Sequence, residues 1–197
     1  MNDYFKDTFI ALDLEMNQPS NRIIQIGAAI GTYKEGDPIE TFSAFINPFE
    51  VLDPRIIELT GITQDQVNNQ GVNLGQGFDL LLAFMKDKDV FINPVTWGGA
   101  DGAELEKQLV AYPISPCGMC WGRELIQSIF GRRWLDAKTL YAAYRIANCK
   151  QPTGGLSKAM THMGLAFKGR KHNAMDDAYN TLIMFRKMIS FYHERTS

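Results

Sequence analysis

The first dense apolar run, Phe9-Ile10-Ala11-Leu12, mixes aromatic and branched residues inside Thr8 to Leu14 and predicts a buried strand. A polar loop, Asn17-Gln-Pro-Ser-Asn21, separates it from two further strand-like stretches, Ile23 to Tyr33 and Ile39 to Ile46. These two are joined by the turn signal Lys34-Glu-Gly-Asp-Pro38. Three consecutive strands with a short second connection predict an antiparallel start to a sheet. Asp53-Pro54 then sets an N-cap before a proline at the first helical position, and Gly61 stops a short helix over Pro54 to Thr60.

Apolar residues at Phe78, Leu81, Leu82 and Met85, spaced by three and four, predict an amphipathic helix over Leu74 to Lys86. Val90-Phe-Ile92 reads as a fourth strand. Helices are expected over Ala103 to Val110, Arg123 to Phe130, Lys138 to Ala147 and Leu156 to Met163, with a short strand near Trp134-Leu135. Ala174, Ala178, Leu182, Phe185, Ile189 and Tyr192 recur at helical steps and predict a long C-terminal helix with one buried stripe. Strands come first and mostly helices follow, so the chain is expected to form a single α/β domain over residues 1–197, a mixed β-sheet flanked by helices.

Composition narrows the class. Of 197 residues 45% are hydrophobic and 21% charged, which supports a packed core and excludes a disordered or collagen-like chain. No apolar run approaches the roughly 20 residues of a membrane helix, and the start, Met1-Asn2-Asp3-Tyr4-Phe5-Lys6-Asp7, lacks the layout of a signal peptide. The expectation is a cytoplasmic protein with no membrane contact. A formal charge of −2 argues against general polyanion binding through a basic surface. Cys117-Gly-Met-Cys120 lacks the partner ligands of a structural zinc site and reads as reduced thiols at a turn, with a thiol-redox module as the competing reading.

Asp13 and Glu15 flank Leu14 near the end of the first strand, so both carboxylates leave one face while Leu12 and Leu14 leave the other. Two like charges beside a core call for a cation, and hard divalent ions suit oxygen ligands. A third acid, Asp101, follows Trp97-Gly-Gly-Ala100 where a helix should begin, with N-capping as its simplest role. Near the C-terminus, Gly169-Arg-Lys-His172 precedes Asp176-Asp177 at the start of the last helix. On a 3.6-residue wheel Asp177 falls at the margin of the buried stripe, where it can face a cleft, whereas Asp176 reads as a solvated acid or a helix-dipole partner.

Taken in order, Asp13-x-Glu15, Trp97-Gly-x-x-Asp101 and His172-x-Ala-x-x-Asp177-Ala178 resemble the DEDDh 3′→5′ exonucleases of the DnaQ-like, ribonuclease-H-type superfamily. Ile24-Gln-Ile-Gly27-Ala28 and Leu59-Thr-Gly61-Ile-Thr63 look like that family's second-strand and short-helix segments. Gly169-Arg170-x-His172 is similar to its branch of enhanced-RNAi-type, histone-mRNA 3′ and KapD-like enzymes. Two positions depart: Asn17 stands where many relatives have Thr, and Ala100 where that branch favours an aromatic that would stack on a terminal base.

The resemblance implies a ribonuclease-H-like fold and a two-metal site in which Asp13, Glu15, Asp101 and Asp177 hold two Mg²⁺ or Mn²⁺ ions. His172 would be the general base rather than a ligand. Leu59, Asn17, Trp97 and Arg170 are the implied substrate contacts, with Leu59 either a wedge between the last bases or a helix-closing core residue. Lys168 and Lys171 would join Arg170 on backbone phosphates. The expected substrate is the 3′ end of single-stranded RNA or DNA, RNA favoured, cut to nucleoside 5′-monophosphates. A DNA proofreading or repair exonuclease and a non-catalytic nucleic-acid-binding adaptor are the alternatives.

Overall fold

Strand order in the sheet is β3-β2-β1-β4-β5, in a computed structural model that describes residues 6–111, 122–152 and 154–194. Cys117 and Cys120 lie outside the described residues. The central strand β1 (Thr8–Met16) pairs antiparallel with β2 (Ile23–Thr32), which pairs antiparallel with β3 (Glu40–Phe45). On its other side β1 runs parallel to β4 (Val95–Thr96), and β4 parallel to β5 (Leu135–Asp136). This is the expected mixed sheet, and β2 is buried along almost its whole length because helices cover both faces.

On one face Ile10, Leu12, Leu14 and Ile26 pack against α3 (Leu74–Met85), α4 (Ala100–Ala111) and α5 (Arg123–Phe130). On the other, Phe9, Ala11 and Ala29 pack against the long α8 (Ala174–Glu194) and the start of α6 (Ala137–Ala147). A further cluster joins Tyr141 of α6, Met160 of α7 (Leu156–His162) and Met184 and Met188 of α8. The short helices α1 (Pro54–Thr60) and α2 (Gln64–Asn69) close the end of the sheet around Ile24, Leu52 and Val67.

Three expectations are corrected and one helix is added. Val90 to Ile92 is not a strand: Val90 makes one isolated bridge to Thr8, and Ile92 is 46% exposed. Only the first residue of β1 lies within reach there, so the run packs Phe91 on Phe9 at the sheet margin, and the fourth strand begins at Val95. Helix α2 was absent from the hydrophobic pattern because it is short and mostly polar; its sequence signal is the capping box Thr63-x-x-Gln66, formed in both directions. Helix α4 starts at Ala100, so Asp101 sits in its first turn and is not its N-cap. The stripe of α8 ends before Tyr192, which is 39% exposed, and widens to include Met184, Met188 and the buried Arg186. That helix is wedged between the sheet and α6–α7, so more than one face is covered. The Arg186 guanidinium meets the carbonyls of Thr32, Asp37 and Pro38 and thereby closes the β2–β3 turn.

Candidate active site

Asp13 and Glu15 project from β1 on the side that faces α8, as strand alternation requires. Opposite them on β2 stand Gly27 and Gln25, and these two residues dock the first turn of α8. A Cβ at Gly27 would lie 2.0 Å from the Ala174 carbonyl carbon, so only glycine lets the helix backbone touch the sheet there. Gln25 Oε1 accepts a hydrogen bond from the Ala174 N–H at 2.9 Å, while its amide nitrogen donates to Ser43 on β3. The helix is therefore pinned by the cross-strand partners of the two acids, and Asp177 arrives one turn later beside them.

Asp101 enters from the first turn of α4. The loop before it is tied down by Thr96 Oγ1 donating to the Gly98 carbonyl at 2.6 Å and by the Gly98 N–H donating to Asp136 at 3.1 Å. Three elements thus deliver four carboxylates to one end of the sheet, and their electrostatics record the proximity. Burial pushes Asp13 well above the usual carboxylate range, and the charges of Asp101, Asp177 and Glu15 push it further. Glu15 is raised to about 8 by burial and then by Asp177 and Asp101. Burial lifts Asp101 to about 6 and also raises Asp177, which the hydrogen bond and charge of His172 partly offset.

His172 stands on the loop before α8 in the left-handed backbone region, φ 59°, and its N–H donates to Asp177 Oδ2 at 3.0 Å. Its ring and the carboxylates of Glu15 and Asp177 each offer a ligand atom, all within 4.8 Å of one another. The structure thus brings His172 into a group of metal-ligating size. The loop is held by residues that sequence reasoning overlooked. Asn180, fully buried, accepts from the Lys168 N–H and donates to the Lys168 and Asp176 carbonyls. Asp176 accepts from the Arg170 N–H at 2.8 Å, so it is a loop latch and not a solvated acid. A buried Asn one turn after an Asp-Asp pair was the available signal.

The four expected substrate contacts divide. Leu59 is 47% exposed on α1, which removes the core-closing reading. Arg170 lays its guanidinium on the C-terminal end of α1, 3.4 Å from the Glu58 carbonyl and against Gly61. Gly61, the left-handed C-cap at φ 73°, leaves the space that a Cβ would take from that side chain. Asn17 is buried, and its amide is committed to the protein: it donates to Glu50 Oε1 and the Val51 carbonyl and accepts from the Asp53 N–H. Trp97 is half-buried between two core clusters, 5.9 Å from the Tyr141 ring, with its indole nitrogen enclosed and unpartnered.

Residues 10–93 match the model of the family described as "Exonuclease". The chain is 28% identical over 204 residues to ERI1 exoribonuclease 2 of Homo sapiens, covering 93% of this chain and 28% of that protein. It is 26% identical over 184 residues to the 3′-5′ exonuclease Snipper of Drosophila melanogaster, covering 85% of this chain and 60% of that protein. This chain therefore spans between about a quarter and three fifths of these relatives. Its fold superposes on the nuclease domain of 3′hExo, described as a DEDDh family member bound to rAMP, with a TM-score of 0.72 at 20% identity, covering 96% of this chain and 94% of that one. Residues 10–93 thus match an exonuclease family model, the named relatives are exonucleases, and the fold that sets the acids at one end of the sheet is similar to that of a DEDDh nuclease domain.

Proposed function

We propose that this protein is a metal-dependent 3′→5′ exonuclease that shortens single-stranded nucleic acid, RNA in preference to DNA, to nucleoside 5′-monophosphates. The observation that carries the reading is the convergence of Asp13, Glu15, Asp101 and Asp177, all with raised proton affinity, with His172 at their edge. Four carboxylates, one buried and three partly buried, repel one another unless protons or cations neutralise them, so the donor set fits two divalent ions, Mg²⁺ or Mn²⁺. Bound there, the ions would supply an acidified water and charge stabilisation at the scissile phosphate.

The chain's own residues do the rest. His172 takes the proton of the attacking water: its ring lies beside Glu15 and Asp177, and its backbone is fixed by the Asp177 carboxylate. Leu59 offers an exposed apolar side chain to the terminal base. Arg170 ties the histidine loop to α1 and keeps its charge near the strand. Asn17 and Trp97 act as positioning residues, the first for the loop entering α1, the second at the start of the loop that leads to Asp101, where its ring packs near Tyr141. RNA is preferred in this reading because a relative that covers 93% of this chain is named an exoribonuclease. The same reading keeps residues 1–197 as one catalytic domain in the cytoplasm; among the described residues no helix is long and apolar enough to cross a membrane.

End-labelled RNA and DNA oligonucleotides, with free or blocked 3′ ends and with or without Mg²⁺, test it. A metal-dependent ladder growing from free 3′ ends, faster on RNA, is the expected outcome. Binding without cleavage would make the protein an adaptor, and preferred cleavage of DNA would return the repair or proofreading reading.

A further inference from the structure

The surface beside the acids opens towards α7 into a cavity of about 620 Å³. His172 and Asp177 form its inner wall, and Lys158, His162 and Lys171 line its outer part. The two sides of the site differ in character. Towards α1 large apolar side chains are exposed, Leu59 at 47%, Phe49 at 67% and Val51 at 83%, beside Arg55, Glu58 and Arg170. Towards α7 the exposed charged side chains, Lys158 and Lys171, are cationic. Partial desolvation, then the charges of Arg145, Lys158 and Lys150, hold the His162 pKa below its ordinary value, so three cations besides Lys171 crowd this corner of a chain whose net charge is −2. Among the described residues no carboxylate lies within ion-pair distance of Lys150, Lys158 or Lys171.

We propose that this cavity is a subsite for the phosphodiester backbone of the bound strand on the 5′ side of the scissile bond, with Lys158 and His162 as its phosphate-binding groups. The inference rests on the exonuclease reading and adds to it the path of the substrate. A phosphate at Asp177 and His172 has two directions in which its strand can continue. The apolar side chains on the α1 side suit a base, and the Arg170 guanidinium there is laid against the helix end, whereas the α7 cavity presents Lys158 and Lys171 with no carboxylate of the described residues within ion-pair distance. His162 Nδ1 lies 2.6 Å from the hydroxyl of the buried Tyr141, a contact that fixes the ring and leaves Nε2 as its free nitrogen. In the tautomer in which the phenol donates to Nδ1, Nε2 carries the proton and can donate it to a phosphate oxygen.

The test compares a hexanucleotide RNA with the 4-nitrophenyl ester of a nucleoside 5′-monophosphate, which has a scissile phosphate and no phosphate further upstream. Lys158→Gln, His162→Gln and the pair are all changes at exposed side chains, and circular dichroism checks their folding. In the pair, KM for the hexanucleotide should rise roughly 5–10-fold with kcat held, and the log–log salt slope of binding should flatten by about 0.7 for the lost Lys158 charge. Hydrolysis of the ester should not change, inhibition by 5′-AMP should not change, and Lys158→Arg should behave as wild type. An equal loss on both substrates, or no loss on either, overturns the subsite while leaving the exonuclease reading intact. Weakened inhibition by 5′-AMP with unaltered hexanucleotide KM also overturns it, in favour of the product phosphate. A wild-type protein that cleaves neither substrate overturns the exonuclease reading and the subsite with it.

Discussion

Asp176 and Asp177 are neighbours in the chain, yet about 100° of helix separates them, and their carboxylates meet different surroundings. Asp177 turns towards Glu15 and the His172 N–H; Asp176 turns back to the Arg170 N–H. Substitution by Ala should therefore separate them. Asp13→Ala, Glu15→Ala, Asp101→Ala and Asp177→Ala should each remove nearly all cleavage with the fold retained, since each would leave the proposed metal pair short of a ligand. Asp176→Ala removes one loop hydrogen bond, worth about 0.5–1.5 kcal/mol, and should lower the rate no more than roughly 10-fold. His172→Ala should cost about 10²–10⁴-fold in the single-turnover rate, the usual contribution of a general base, with calorimetric Mn²⁺ affinity little changed. A large fall in Mn²⁺ affinity would make His172 a ligand, a role that its distance from Glu15 and Asp177 also permits.

At the scale of elements, the site depends on how closely α8 approaches β2. Gly27 is where that approach is closest, and a methyl group there would overlap the Ala174 backbone, which cannot swing aside as a side chain can. Gly27→Ala should cost at least the roughly 1–3 kcal/mol of an overpacked core and should displace Asp177 from Asp13 and Glu15. Calorimetric melting together with cleavage checks both effects, and Gly99→Ala, where a Cβ meets nothing within 4 Å, is the stability control. A Gly27→Ala protein with wild-type melting and cleavage would show that α8 is not held by this contact. Gln25 works at the same junction, and its replacement by Leu would leave the Ala174 N–H buried without an acceptor.

For the whole molecule, the site is a source of instability that a cation relieves. A carboxyl whose pKa is higher folded than unfolded contributes stability that is fully present below the unfolded value and is lost as pH rises through the folded one. Glu15 moves from 4.5 to about 8 and Asp101 from 3.8 to about 6, and Asp13 and Asp177 shift the same way. The metal-free protein should thus lose thermal stability as pH climbs from the ordinary carboxylate range to about 8. Mn²⁺ or Mg²⁺ should raise the melting temperature by more at the upper end of that window, where protons no longer compete for the carboxylates. Glu15→Gln should flatten the slope in chelator while abolishing cleavage. Melting curves in chelator and in excess metal over a pH series check this, and an equal metal effect at both ends would contradict it.

The local sequence alone determined much of this protein. Period-two alternation placed Asp13 and Glu15 on one face of β1, and Asp53-Pro54 with Gly61 bounded α1, because these signals act within a few residues. The acids and His172 were singled out as a set by the resemblance of their order along the chain to the DEDDh exonucleases, since each taken alone also had a plain structural role. Short-range pattern failed where distant chain supplied the partners. Val90 to Ile92 has strand composition but only one β1 residue within reach, and the stripe on α8 widened because α6 and α7 pack behind it. Asn17 and Trp97 carried resemblance to substrate contacts, while tertiary packing committed the Asn17 amide to the protein and left Trp97 half-buried against Tyr141. Only the fold could place Gly27 and Gln25 opposite the two acids, or set Lys158 and His162 across a cavity from His172, since those neighbours are made by strand register and helix docking rather than by spacing along the chain.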